Sequence, residues 1–246
     1  MSPRAAGSSG GEAARKLRVI RAVRRAYPEA ACALSFRDPL QLLVATVLSA
    51  QCTDTRVNLV TRELFKRFRK PEDYLAVPIE TIEEAIRSTG FFKNKAKAIQ
   101  GICRTLIRDH AGAVPSTLEE LVALPGVGRK TANVVLGEGF GIASGIVVDT
   151  HVHRLSRRLA LTRADDPVKI ERDLMEIVPR PDWLGFGMRL ITHGRTICPA
   201  RKPSCPECLL LPDCPFGLRE TRGAQASPAR VKGGLRTRKR PATEAP

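Results

Sequence analysis

A chain of 246 residues with 43% hydrophobic side chains has enough material for one domain with appendages, or for two small ones. Its formal net charge of +16 disfavours a basic binding partner and points to a polyanion. No apolar run approaches the roughly 18 residues of a membrane span. Seven cysteines, four of them clustered, fit a reducing compartment and metal ligation better than a disulfide framework.

The start, MSPRAAGSSGGEAARK, lacks the apolar stretch of a secretory signal and is expected to form a disordered tail over 1–16. Its Arg/Ser/Ala-rich, acid-poor composition leaves an organelle-targeting role as the alternative. Asp38-Pro39-Leu40-Gln41 reads as a helix cap, a proline at the first helical position and a capping-box glutamine. The apolar run Leu40 to Ala50 follows. Thr53 or Asp54 opens the next helix, with Val57, Val60, Leu64 and Phe68 on one face. The same spacing predicts a helix over Asn94 to His110, with Ile99, Ile102, Cys103 and Leu106 inward. Ser116-Thr117-Leu118-Glu119 reads as a second capping box, and Asp166-Pro167 opens a helix burying Ile170, Leu174 and Ile177. Little of the chain alternates with period two, so the fold class is all-α. With aromatics at 4%, the core is built of Leu, Val, Ile and Ala. A tail is expected over 218–246. From Arg219 to Pro246 eight Lys or Arg face two Glu, so this end carries +6 and leaves +10 for the body.

Three features carry chemistry. Pro125-Gly126-Val127-Gly128 joins two helices; glycines one residue apart let backbone N–H groups approach a phosphate at a helix N-terminus. An ordinary helix–turn–helix connection is the alternative. Lys130 follows, either as a plain phosphate contact or as a nucleophile, since the helix dipole disfavours its charge. Asp149, in VDTH, caps the helix containing Val152, Leu155 and Leu159; it can also act chemically only if its carboxylate faces a cleft. Finally, Cys198, Cys205, Cys208 and Cys214 follow a C-x6-C-x2-C-x5-C spacing. Spacing alone divides evenly between zinc and an iron–sulfur cluster. Cys32, Cys52 and Cys103 lie in apolar helical settings and read as ordinary buried residues, and His193 as structural.

Taken in order, LLVATVLSAQCTD, LPGVGRKTANVVL, VDTHVHRLSRRL and HGRTICPARKPSCPECLLLPDC resemble the endonuclease III family of base-excision DNA glycosylases, within the helix-hairpin-helix superfamily. The resemblance runs from about Leu17 to Pro215. It implies a six-helix domain over 33–142 containing the hairpin, and a cluster domain of 17–32 plus 143–217, with a DNA-binding cleft between them. It implies a [4Fe–4S] cluster on the four cysteines, shaping a basic loop around Arg195, Arg201 and Lys202. Lys130 would attack the sugar C1′ of a flipped, oxidised pyrimidine such as thymine glycol, and β-elimination from the resulting Schiff base would cut the strand. Asp149 would stabilise the positive charge that develops. Gln51 matches the residue that fills the gap left by the flipped base. Phe91 stands where the family usually has an aliphatic wedge, a departure bearing on opposite-base preference.

Gly126, Val127, Gly128, Arg129, His151 and Arg195 are expected on the DNA, with local hydrogen bonding as the alternative for His151. Lys93, Lys95 and Lys97 would meet phosphates or form a solvated face. The expected partner is duplex DNA bearing damaged pyrimidines or abasic sites. The protein would act as a monomer, in the cytoplasm and nucleoid-associated if bacterial. A related adenine glycosylase would usually lack the hairpin lysine, and a non-catalytic DNA-binding module would not need Lys130 and Asp149 together.

Overall fold

In the computed structural model, which describes residues 8–226, every regular element is helical and no strand forms among the described residues. The helices begin where side chains satisfy the otherwise unpaired N–H groups of a first turn. Asp38 accepts from Gln41 N and opens α2 (Pro39–Leu48). Gln41 Oε1 reaches back to Arg37 N, one residue earlier than a capping box requires. Thr53 caps α3 (Asp54–Arg67), whose Val57, Thr61 and Leu64 turn inward, with Phe68 buried just beyond its end. Two short helices, α4 (Pro71–Leu75) and α5 (Ile79–Ile86), pack on α6 (Phe92–His110). The second cap differs from expectation. Thr117, not Ser116, opens α7 (Leu118–Ala123), accepting from Glu120 N and donating to the Glu120 carboxylate.

These helices enclose an aliphatic core. Leu42, Leu43, Ile82, Ile86, Ile99, Ile102 and Leu106 are fully buried, each contributing roughly 1.5–3 kcal/mol relative to exposure. The hairpin leads into α8 (Arg129–Val134), a single π turn (Val135–Gly139) and an irregular segment ending at Asp149. Then come α9 (Thr150–Arg158), α10 (Pro167–Ile177), capped by Asp166 as expected, and α11 (Trp183–Thr196). Short 3-10 turns carry the chain through the cysteines into α12 (Pro215–Ala226).

Both ends differ from the sequence reading. Residues 8–16 belong to α1 (Ser8–Ala26), and 218–226 belong to α12, where disordered tails were expected. Arg15 explains the first difference. Its guanidinium donates to the carbonyls of Leu159, Ala160 and Asp213 at 2.7–2.9 Å, tying a Gly/Ser/Ala-rich stretch to distant parts of the chain. α1 also packs on α11, which packs on α9. The rest of the expected tails, 1–7 and 227–246, lies outside the described residues.

Candidate active site and cysteine cavity

Gly126 sits at φ +73°, a conformation that a side chain strains, and an added Cβ would stand 3.3 Å from Ala98 Cβ. Val127 is buried and pins the hairpin to the core, its N–H donating to Leu124 O. Gly128 caps α8 without a side chain and faces open space, so the first N–H groups of α8 are left accessible. Lys130 is exposed on the first turn of α8.

Lys130 lines a cleft together with Asp149, Cys32, Asp54, Met188 and Arg195. The two residues expected to do the chemistry, 19 apart in sequence and on different helices, therefore meet in one cleft. Asp149 is at once a helix cap and a residue of the cleft wall. Its Oδ1 accepts from His151 N and Val152 N, both at 2.8 Å, and the same residue faces the cleft.

Other expected contacts are used differently. Arg195 pairs with Asp54 at 2.9 Å on the cleft wall, joining α11 to α3. Asp54 was read from the sequence only as an alternative to Thr53 for opening the helix; its place in the first turn behind the Thr53 cap was the available signal for a charged partner. His151 Nδ1 lies 3.2 Å from Arg154 Nη2, which also donates to the carbonyls of Gly194 and Cys198, so local hydrogen bonding describes it better than a phosphate contact. Arg129, expected on the DNA backbone, instead grips the buried Glu171 through Nε at 2.6 Å and Nη2 at 3.2 Å. Asn133 donates to the same carboxylate at 2.8 Å and accepts from Ser144 Oγ. One carboxylate of α10 thus holds one face of the helix that bears Lys130.

Gln51 (φ +53°) and Phe91 (φ +48°) both lie exposed with left-handed backbones, Phe91 at 62%. Strain of this kind in non-glycine residues gathers at functional sites. Lys93 and Lys97 are exposed, but Lys95 is buried, which corrects its reading as a phosphate contact or part of a solvated face. Cys32, expected as an ordinary buried residue, lines the cleft half-buried, where burial pushes its thiol up. Cys103 is fully buried, and burial pushes its thiol to about 12.

The four clustered cysteines line a separate cavity with Leu155, Arg158, His193, Leu211 and Phe216. Arg158 reaches Cys198 Sγ at 3.1 Å and the carbonyls of Pro199 and Ala200, and its guanidinium stacks 4.4 Å from the Phe216 ring centre. Gly217 N donates to Cys214 Sγ at 3.3 Å. His193 hydrogen-bonds Tyr27 Oη at 2.8 Å, and burial lowers its pKa to about 4, which supports its structural reading. Burial, then the neighbouring sulfurs, raises the thiols of Cys205, Cys208 and Cys214, so an unligated quartet is unfavourable to ionise. No three His, Cys, Asp or Glu side chains among the described residues converge on a single metal ion. Four cysteine sulfurs lining one cavity form an all-thiolate donor set, which suits zinc and an iron–sulfur cluster alike.

Residues 44–180 match the model of the HhH-GPD superfamily of base excision DNA repair proteins. The endonuclease III of Synechocystis sp. is 54% identical over 201 residues, which covers 82% of this chain and 92% of that protein. A solved non-covalent endonuclease III–DNA complex is 46% identical with a TM-score of 0.81, covering 85% of this chain and 98% of the other. A trapped covalent endonuclease III–DNA intermediate is also 46% identical, with a TM-score of 0.80 and coverage of 84% and 99%. The length of these matches, over a fold that brings the hairpin lysine and the aspartate into one cleft, places the chain in the endonuclease III family of the HhH-GPD superfamily.

Proposed function

We propose that this base-excision DNA glycosylase and lyase acts on oxidised pyrimidines such as thymine glycol, with Lys130 as nucleophile and Asp149 as its electrostatic partner. The observation that carries the reading is their shared cleft. The Lys130 amine forms a bond to C1′ as the glycosidic bond breaks and the base leaves with a proton. The sugar ring opens to a Schiff base, the C2′ proton is lost, and the C3′–O bond breaks 3′ to the lesion. A carboxylate suits Asp149's position because the sugar gains positive charge in the transition state, and the pairing strengthens as water is excluded. Two backbone N–H bonds fix the Asp149 carboxylate before substrate arrives, so little reorganisation is needed at the moment of reaction.

The hairpin residues Gly126, Val127 and Gly128 hold backbone phosphate, while Gln51 and Phe91 enter the opened duplex. Arg195 completes the protein–DNA contact from the cleft wall, and Arg129 and His151 act from behind it through Glu171 and Arg154. The body of 33–142 and the unit of 17–32 plus 143–217 form the two sides of the cleft, a division supported by α1 packing on α11. Cys198, Cys205, Cys208 and Cys214 hold a [4Fe–4S] cluster, which supplies a structural cross-link for the loop that follows α11. The all-cysteine donor set around one cavity supports that assignment. The enzyme works as a monomer in the cytoplasm, associated with the nucleoid if bacterial. No described helix is long and apolar enough to cross a membrane.

Borohydride trapping on a duplex containing thymine glycol tests the chemistry. The wild-type chain gives a covalent adduct that Lys130→Gln abolishes, and base release without any trapped adduct would remove the lyase mechanism. Asp149→Asn retains DNA binding and loses base release; unimpaired turnover would remove its catalytic role. Brown colour and acid-labile iron in the purified protein test the cluster, and bound zinc in its place would overturn it.

A further inference from the structure

Lys95 is a buried titratable group that the chemistry above leaves unused. It is 5% exposed, and Nζ donates at 2.8 Å to Leu48 O and at 2.8 Å to Thr89 O. Leu48 ends α2, and Thr89 ends the 3-10 turn Arg87–Thr89. Both carbonyls are thus among those that a helical end leaves unpaired, and a cation there is favoured by the helix dipole. Three residues beyond Leu48 stands Gln51; two beyond Thr89 stands Phe91. Each has a left-handed backbone and lies exposed. One nitrogen therefore joins the bases of the two loops whose tips carry these strained residues, and holds them within a few ångströms of each other.

Stability alone accounts poorly for this arrangement. Burying an ammonium is costly, desolvation lowers the Lys95 pKa, and among the described residues no carboxylate offsets the charge. A methionine would fill the same space without that cost. The lysine instead supplies direction: two donors at fixed angles to two carbonyls on separate elements.

We infer that Lys95 is a positioning residue for opening the duplex, setting the spacing and strained backbones of the Gln51 and Phe91 loops so that both tips enter DNA together. The inference rests on the reading of Gln51 and Phe91 as residues that enter the duplex. Released from Lys95, each loop relaxes toward ordinary backbone conformations, and the tips lose register with each other. The chemistry at Lys130 and Asp149, on other elements of the cleft, needs no such register when no base is paired.

The test compares two substrates under single turnover: a thymine glycol duplex, and an abasic site in a single strand, where no base is extruded and no gap is filled. In Lys95→Met, the ratio of duplex base release to single-strand abasic cleavage falls at least tenfold. The fluorescence rise of 2-aminopurine placed opposite the lesion slows in parallel. Lys95→Gln, which keeps one donor group, falls between, and serves if the methionine variant does not fold. An unchanged ratio, including one in which both activities fall together through lost stability, overturns the inference. Gln51→Ala and Phe91→Ala separate it from the reading beneath it. Insensitivity of the ratio to those two removes reading and inference together. Sensitivity there with an unchanged ratio in the Lys95 variants removes the inference alone.

Discussion

The helical body and the cysteine-bearing segment stay folded by different means. Between Asp38 and Ala123 the chain is held by apolar contact: long helices bury Leu42, Leu43, Ile82, Ile99, Ile102 and Leu106 against one another. From Ile197 to Cys214 there are only short 3-10 turns, and Leu210 is the one large aliphatic side chain there that is nearly inaccessible. The segment is fastened by guanidinium groups on carbonyls and sulfur, from Arg15, Arg154 and Arg158. A core of this kind forms by burying area; a segment too small to bury much depends on directional bonds and on whatever its cysteines hold.

Removing the cluster proposed for the four cysteines is the severest test of that difference. Acid treatment with a chelator, or Cys208→Ser, opens residues 197–218, and trypsin then cuts after the exposed Arg201. The helical signal of the body persists. Loss of all helical signal in the same step would show that the two regions are one cooperative unit and end the comparison.

Next in size is a matched pair of truncations. Ile102→Ala empties a fully buried site in α6 and costs about 3–5 kcal/mol. At roughly 2–4 °C per kcal/mol for a chain of this size, the melting temperature falls by about 10 °C. Leu210→Ala in the cluster-loaded protein costs less than half as much, since the bonds around it remain. Equal losses in a thermal melt would mean that the segment has a hydrophobic core after all.

The two regions also differ in how far the sequence discloses them. Body helices announce themselves through period and cap: Asp38 and Thr53 each precede a regular apolar stripe and each accepts the predicted N–H bond. The site is legible for the same reason, because Lys130 and Asp149 stand at helix starts marked by glycine and by an N-cap. Side chains that act at long range are not legible. Arg15 lies 144 residues from the Leu159 carbonyl it holds, and a guanidinium bound to carbonyls has no composition or period to betray it. The pairing of Arg129 with Glu171 was hidden in the same way. Lys95 is a different failure. Its neighbours Lys93 and Lys97 suggest a charged face, yet Lys95 falls on the buried stripe with Ile99, Ile102 and Leu106 at helical spacing. That period was a sufficient signal; the charge obscured it.

Arg15→Ala sharpens the contrast at a smaller scale. Three partly buried bonds from a charged donor are lost, at about 2 kcal/mol in total. Hydrogen exchange quickens in α1 and in the turn Leu211–Asp213, while α6 amides keep their protection. Uniform quickening across both regions would show that α1 supports the body as well.

The smallest effect comes from the body, and it concerns pH. Burial raises the Cys103 thiol from 9.0 to about 12, so the folded state keeps its proton where the unfolded chain has lost it. Between those values the unfolded state binds fewer protons, and stability falls as pH rises. At pH 10 this amounts to roughly 1 kcal/mol relative to pH 8. Other groups titrate in the same window, so the readout is a difference between two chains. Denaturant unfolding at pH 8 and pH 10 should show a smaller alkaline loss for Cys103→Ala than for the wild type, by about that amount, whatever the variant's stability at pH 8. Parallel losses in the two proteins would mean that water reaches Cys103, and that the body is less tightly closed than its aliphatic packing implies.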